Sequence, residues 1–137
     1  MSAPDFLDSN ILIYAYDPTD PAKQRTAQNL VLKALDGEIL ASTQVLAEFS
    51  AALLHKISPP AGADNVKILL DALSPLKLIL PDEGTVRRAV EAHATYGLHF
   101  HDGMIVAAAE RGGCKRIWSE DLNSGQKYFG VVVENPF

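Results

Sequence analysis

The chain has 137 residues, 47% of them hydrophobic and 21% charged, which predicts one globular domain over residues 1–137 and argues against disorder. Twelve Lys and Arg against seventeen Asp and Glu leave a net charge of −5, which excludes a strongly basic nucleic-acid binder but not nucleic acid as a substrate. The one cysteine, Cys114, excludes an internal disulfide framework and a Cys-based zinc site, and a reducing cytoplasm is the expected compartment. Asp5 and Asp8 interrupt the N-terminus, so no targeting segment is expected. No apolar run approaches the roughly 20 residues of a membrane span.

In chain order, Phe6-Leu7 reads as a short strand. It leads into a helix from Ile11 to Tyr16, with Ser9 or Asn10 as the expected N-cap. Asp17-Pro18 breaks that helix. Pro21 opens a second, which runs to about Leu35 and stops at Gly37. Ile39-Leu40-Ala41 is the second strand. Ser42 or Thr43 caps a third helix, which ends before Ser58-Pro59-Pro60. Asn65 to Leu73 is a fourth helix, and Leu76 to Leu80 a strand closed by Pro81. A helix over Glu83 to Tyr96 follows, with Gly97 as its C-cap. His101 to Arg111 is the last helix, stopped by Gly112-Gly113. Arg116 to Ser119 and Val131 to Val133 are the final strands. Strands alternating with helices predict an α/β fold whose parallel sheet is covered on both faces.

Three acids stand alone in apolar runs. Asp8 is the only charged residue between Asp5 and Asp17, and Glu48 the only one between Glu38 and Lys56. Asp102 is the only formal charge between Glu91 and Glu110. An unpaired carboxylate in a buried segment costs several kcal/mol, and no Lys or Arg lies within helical reach of any of the three. Alone, Asp8 is explained as a helix cap and Asp102 as a partner of a helix dipole. Glu48 is too far into its helix for either. One shared metal site accounts for all three. Asp8 follows the first strand, Asp102 opens a helix, Glu48 lies in the second turn after the second strand, and Asp121 follows Ile117-Trp118-Ser119. In open parallel sheets the site lies beyond the carboxyl ends of the strands, where all four acids are expected to meet.

These residues carry a family resemblance. Phe6-Leu7-Asp8-Ser9-Asn10 with its apolar helix resembles the opening of PIN-domain proteins, in particular VapC-like toxins. Gln44-Val45-Leu46-Ala47-Glu48-Phe49, the stretch His99 to Ala109 around Asp102, and Ser119-Glu120-Asp121-Leu122 resemble the second, third and fourth motifs. The ending Asn135-Pro136-Phe137 resembles one VapC-like branch. Gly103 stands where the family more often has Ala, and is expected to weaken the helix start slightly. His101 replaces a frequent aromatic ring.

The resemblance implies a three-layer α/β/α PIN domain with a central parallel sheet of four to five short strands. It implies a metal-dependent endoribonuclease with Asp8, Glu48, Asp102 and Asp121 as the acidic pocket and Asn10 and Ser119 as polar helpers. Asp121 is preferred over Glu120 on the Ser/Thr-x-Asp spacing. Oxygen-only donors suit Mg²⁺ or Mn²⁺, one ion or two. Metal-acidified water would hydrolyse an RNA phosphodiester bond. The resemblance further implies a cognate antitoxin that lies in a groove near the pocket, a homodimer, and transfer RNA as a frequent target. Alternatives are a PIN nuclease of RNA processing without an antitoxin, or a catalytically inactive PIN binding module.

His99 and His101 flank the site, either as substrate contacts or as ring packing at a helix start. Cys114 and Trp118 are expected in the core. Lys23, Arg25, Arg87, Arg88, Arg111, Lys115 and Arg116 are the candidate phosphate-steering cations, with Arg111, Lys115 and Arg116 preferred for their closeness to Asp121 in sequence. A response-regulator receiver lacks its adjacent acids and late Lys-Pro here. A haloacid-dehalogenase-like phosphatase needs Asp where Asn10 stands.

Overall fold

The computed structural model describes residues 2–137. Strand β1 (Asp5–Leu7) is followed by α1 (Ser9–Tyr16) and α2 (Pro21–Leu35). Then come β2 (Ile39–Ser42), α3 (Thr43–His55), α4 (Ala63–Ala72) and β3 (Leu78–Ile79). Helices α5 (Glu83–Tyr96) and α6 (Phe100–Arg111) precede β4 (Arg116–Trp118), β5 (Lys127–Tyr128) and β6 (Val131–Glu134). Among the described residues no helix is long and apolar enough to cross a membrane.

Local chemistry sets most of the boundaries. Pro21 occupies the first turn of α2, and the Asp20 side chain accepts from Lys23 N at 3.1 Å. Ser42 caps α3 by accepting from Val45 N. Asp82 and Thr85 close α5 reciprocally as a capping box, and Gly97 ends that helix at φ +73°, where glycine carries no Cβ penalty. At α1 the cap is Asp8, the capping role open to it from the sequence, and not Ser9 or Asn10; its backbone is extended and its Oδ1 accepts from Ser9 N at 2.7 Å.

The sheet has six strands in the order β3-β2-β1-β4-β6-β5. All pairings are parallel except β5 with β6. The sixth strand exceeds the expected four to five. It arises because Phe129 (φ +48°) and Gly130 (φ +82°) form a tight turn that folds Lys127–Tyr128 back onto β6. Phe-Gly is not the usual Asn-Gly signal for such a turn, so this hairpin is not legible from local pattern. β3 is shorter than expected, because Leu76 is still in the turn that closes α4, its N–H donating to Leu73 O.

Register assigns the two faces. Asp5 pairs with Ile39 and Arg116, and Phe6 with Leu40 and Ile117. Gly112, just past α6, lies against Leu40 and Ile79, so α6 covers the Phe6–Leu40–Ile117 face. Leu30 and Lys33 of α2 line one groove with Asp5, Arg116 and Trp118, so α2 lies on the other face. α5 packs on α6, α1 packs on α2 and α3, and α4 packs on α3. The core is one continuous cluster through Phe6, Leu7, Ile11, Val45, Leu53, Ile105, Ile117 and Val133. Cys114 is buried, as expected. Helices flank both faces of the sheet, as expected, and the α2 face is the less completely covered. On the α2 side, Arg116, Trp118, Val132 and Glu134 are half-buried, because α2 reaches over β1 and β2 but not fully over β4 and β6. Trp118 is therefore at the edge of the core, with Arg116 flat on its ring at 4.3 Å and its indole N–H donating to Asp5.

Gly103 has a stronger reason than helix propensity. A Cβ there would stand 2.8 Å from the Ala89 carbonyl oxygen, so the glycine allows the close approach of α5 and α6. Gly103→Ala is expected to lower stability by about 1–3 kcal/mol through overpacking. Urea unfolding checks this, and an unchanged midpoint would show that α5 shifts freely.

Candidate active site

The site begins with the parallel pairing of β1 and β4. Leu7 is in register with Trp118, so the next residues, Asp8 and Ser119, lie side by side at the carboxyl ends of the strands. Asp8 N donates to Trp118 O at 3.1 Å, which continues the ladder by one step. Ser119 Oγ donates to Asp8 Oδ2 at 2.8 Å and accepts from Asp121 N and Leu122 N. Asn10, in the first turn of α1, closes the group. Its Nδ2 lies 3.1 Å from Asp121 Oδ2 and 3.4 Å from both Asp8 Oδ2 and Ser119 Oγ, and its Oδ1 accepts from Glu120 N. Asp8, Asn10 and Ser119 are 5%, 8% and 0% exposed. The sequence motifs Asp-x-Asn and Ser-x-Asp thus interlock in space.

Glu48 and Asp102 come from other elements. Glu48 projects from the second turn of α3 and accepts from Gln44 Nε2 at 3.2 Å. Asp102 sits in the first turn of α6, half-buried. Asp121 is exposed and turned inward by its bond to Asn10. Among the described residues, no Lys, Arg or His forms an ion pair with any of these four acids.

Burial without a cation shifts the titration. Desolvation pushes the Asp8 carboxyl up to about 6; the bonds from Ser119 and Ser9 N oppose this, and the charges of Glu48 and Asp121 add to it. Asp102 is also raised, first by desolvation; His99 and His101 pull it back, while Asp121 and Glu48 push it further. The four carboxylates therefore share one negative field.

Metal ligation has a specific limit here. Among the described residues no three His, Cys, Asp or Glu side chains are close enough together to enclose an ion. A fully protein-built cage is absent. The donor set is nevertheless oxygen-only and uncompensated. It fits a hard ion that keeps several waters and touches one or two carboxylates, which is the habit of Mg²⁺.

The neighbours sort differently from expectation. Glu120 bonds Lys23 at 3.0 Å, so its carboxylate already has a cation, unlike that of Asp121. Arg111 pairs with Asp82, and Arg116 with Asp5 and Glu134. Lys115 and Arg116 stand at the amino end of β4, the opposite end of the strand from Asp121. Closeness in sequence misplaced these preferred cations, because a strand carries the chain about 3.3 Å per residue away from the site. Arg87 and Arg88 are held by Glu83, Glu91 and Glu110. His99 caps α6 by accepting from His101 N, and the two exposed rings stack at 5.5 Å. Gln44 was not singled out by sequence, although it stands four residues before Glu48 and therefore on the same helix face.

The chain belongs to the PIN domain family, whose model matches residues 6–129. No curated protein matches the sequence. Several solved structures share its fold. A toxin–antitoxin complex from Klebsiella pneumoniae superposes with a TM-score of 0.69 at 20% identity, over 99% of this chain and 98% of that one. VapBC2 from Rickettsia felis, bound to a DNA fragment of its promoter, gives 0.66 at 21% identity over 96% and 97%. FitAcB from Neisseria gonorrhoeae gives 0.63 at 16% identity over 96% and 97%.

Asp8 makes a prediction for the metal-free protein. Its folded pKa, about 6, lies above the ordinary Asp value of 3.8, so the native state holds the proton more tightly between those values. Stability from this group is present below about pH 4 and is lost as pH rises through about 6, by roughly 3 kcal/mol. Asp8→Asn removes the penalty and keeps a polar cap. Without metal, its melting temperature is expected to exceed wild type at pH 7.5, with the gap closing toward pH 4. A variant less stable than wild type at pH 7.5 would mark Asp8 as a structural acid.

Proposed function

We propose that this PIN domain is a Mg²⁺- or Mn²⁺-dependent endoribonuclease, the toxin of a type II toxin–antitoxin pair. The observation that carries this is the buried Asp8 carboxylate, held without a cation at the carboxyl end of β1 and facing the charges of Glu48 and Asp121. Its bonds from Ser9 N and Ser119 only partly offset the cost of burying it, and a divalent cation would remove the rest. Support for the toxin reading comes from the neighbouring folds, two of which are toxin–antitoxin assemblies over nearly their whole length.

Asp8 and Asp102 are the proposed direct ligands, with Glu48 and Asp121 acting through water or on a second ion. Mg²⁺ or Mn²⁺ held at these residues would supply an acidified water and positive charge against the phosphate. Ser119 and Asn10 hold the Asp8 carboxylate in one orientation, since both bond its Oδ2. Asn10 also draws the exposed Asp121 toward Asp8. The remaining field of the acids repels phosphate, so RNA binding depends on the ion. A cognate antitoxin and a homodimer complete the proposed assembly.

The test uses purified chain, transfer RNA or total RNA, and Mg²⁺ or Mn²⁺. Cleavage is expected with either ion and none with EDTA. Asp8→Asn and Asp102→Asn are each expected to cut the rate by more than about 100-fold, beyond the 10–100-fold typical of losing an outer partner of a ligand. In cells, induction is expected to arrest growth and the adjacent reading frame to relieve it. Cleavage without growth arrest would favour an RNA-processing nuclease. No cleavage despite metal binding would favour an inactive binding module.

A further inference from the structure

Glu48 and Asp102 sit on helices that pack mainly elsewhere. α3 lies on α1, α4 and β2, whereas α6 lies on α5 and the sheet. One side chain spans the gap. Gln44 Nε2 donates to Glu48 Oε2 at 3.2 Å and to the His101 backbone carbonyl at 3.0 Å, one residue before Asp102. Both partners are acceptors, so the amide nitrogen must face them and the amide oxygen must face away. That oxygen is buried and has no hydrogen-bond partner. Gln44 is also the one hydrogen-bond donor to the Glu48 carboxylate among the described residues.

An orphaned buried acceptor is unfavourable for stability. An apolar side chain of the same length would fill the space without it. The amide is therefore explained by its two N–H contacts rather than by packing. We propose that Gln44 is a positioning residue that bridges Glu48 to the start of α6 and so sets the spacing of the Glu48 and Asp102 carboxylates. The inference rests on the metal-site reading of those acids and deepens it. Each N–H has a separate task. One holds Glu48 in a single rotamer without neutralising it, as a Lys or Arg would. The other ties α3 to the turn that carries Asp102.

The experiment is Mn²⁺ titration of the full chain by calorimetry, paired with metal-free thermal melting. Gln44→Met keeps the length and removes the donors. It is expected to weaken Mn²⁺ binding about 10-fold, the scale of losing an outer partner of a ligand. Its metal-free melting temperature is expected to equal or exceed wild type, because the orphaned oxygen is gone. In a Glu48→Gln background, Gln44→Met is expected to cost less than in wild type, because its contact with Glu48 is already spent. Gln44→Asn, one methylene shorter, is expected to lose the bridge as well and carries the comparison should the Met variant not fold. Mn²⁺ affinity within about twofold of wild type in both variants would overturn the inference alone. An undiminished loss in the Glu48→Gln background would overturn it too. A wild-type chain that binds no Mn²⁺ would overturn the metal-site reading and this inference together.

Discussion

The structure turns on one carboxylate. Asp8 follows β1, caps α1 and is buried beside Ser119 and Asn10 at once. Its Oδ1 takes the first N–H of α1 and its Oδ2 takes the hydroxyl of Ser119, the residue after β4. The same residue thus joins the two strands at the centre of the sheet to the first helix. What it lacks is a cation. Burial raises its pKa to about 6, so near neutral pH the metal-free fold holds a charge that it stabilises poorly. The rest of the site is organised around that unresolved charge.

Several acids elsewhere are paired. Asp5, Asp82, Glu83, Glu91, Glu110, Glu120 and Glu134 each meet an Arg or Lys. The four site acids do not. Removing them from the count leaves thirteen acidic against twelve basic residues, so most of the −5 belongs to the pocket. The polar residues around it supply neutral donors only. Ser119, Asn10 and Gln44 orient carboxylates with hydrogen bonds and leave their charge intact. Neutral donors preserve affinity for a cation, which Lys or Arg in the same places would cancel.

Much of this was legible because burial is written in composition. Asp8, Glu48 and Asp102 each interrupt an apolar run, and a lone acid there demands an explanation whatever the fold. Element limits were legible where a cap or breaker acts locally: Pro21 at the start of α2 and Gly97 at the end of α5 are such cases. Reading failed where partners are distant. The β5–β6 hairpin has no standard turn dipeptide. Arg116 was near Asp121 in sequence but is held by Asp5 and Glu134 at the other end of the strand. Gly103 looked like a weak helix former, and its cause, the Ala89 carbonyl, lies fourteen residues away on α5.

By itself, then, the sequence determined the alternation of strands and helices and the isolation of Asp8, Glu48 and Asp102 in apolar runs. Those follow from hydrophobic period, caps and isolated charge, all of which act within a few residues. Tertiary structure decided which acids lie deep and which are exposed. It paired Glu120 with Lys23 and left Asp121 to Asn10. It also revealed Gln44 as the link between α3 and α6. These outcomes depend on strand register and on the meeting of side chains far apart in the chain, 111 positions for Asn10 with Asp121. No local pattern encodes such a meeting, because the free energy that selects it comes from closing the whole sheet.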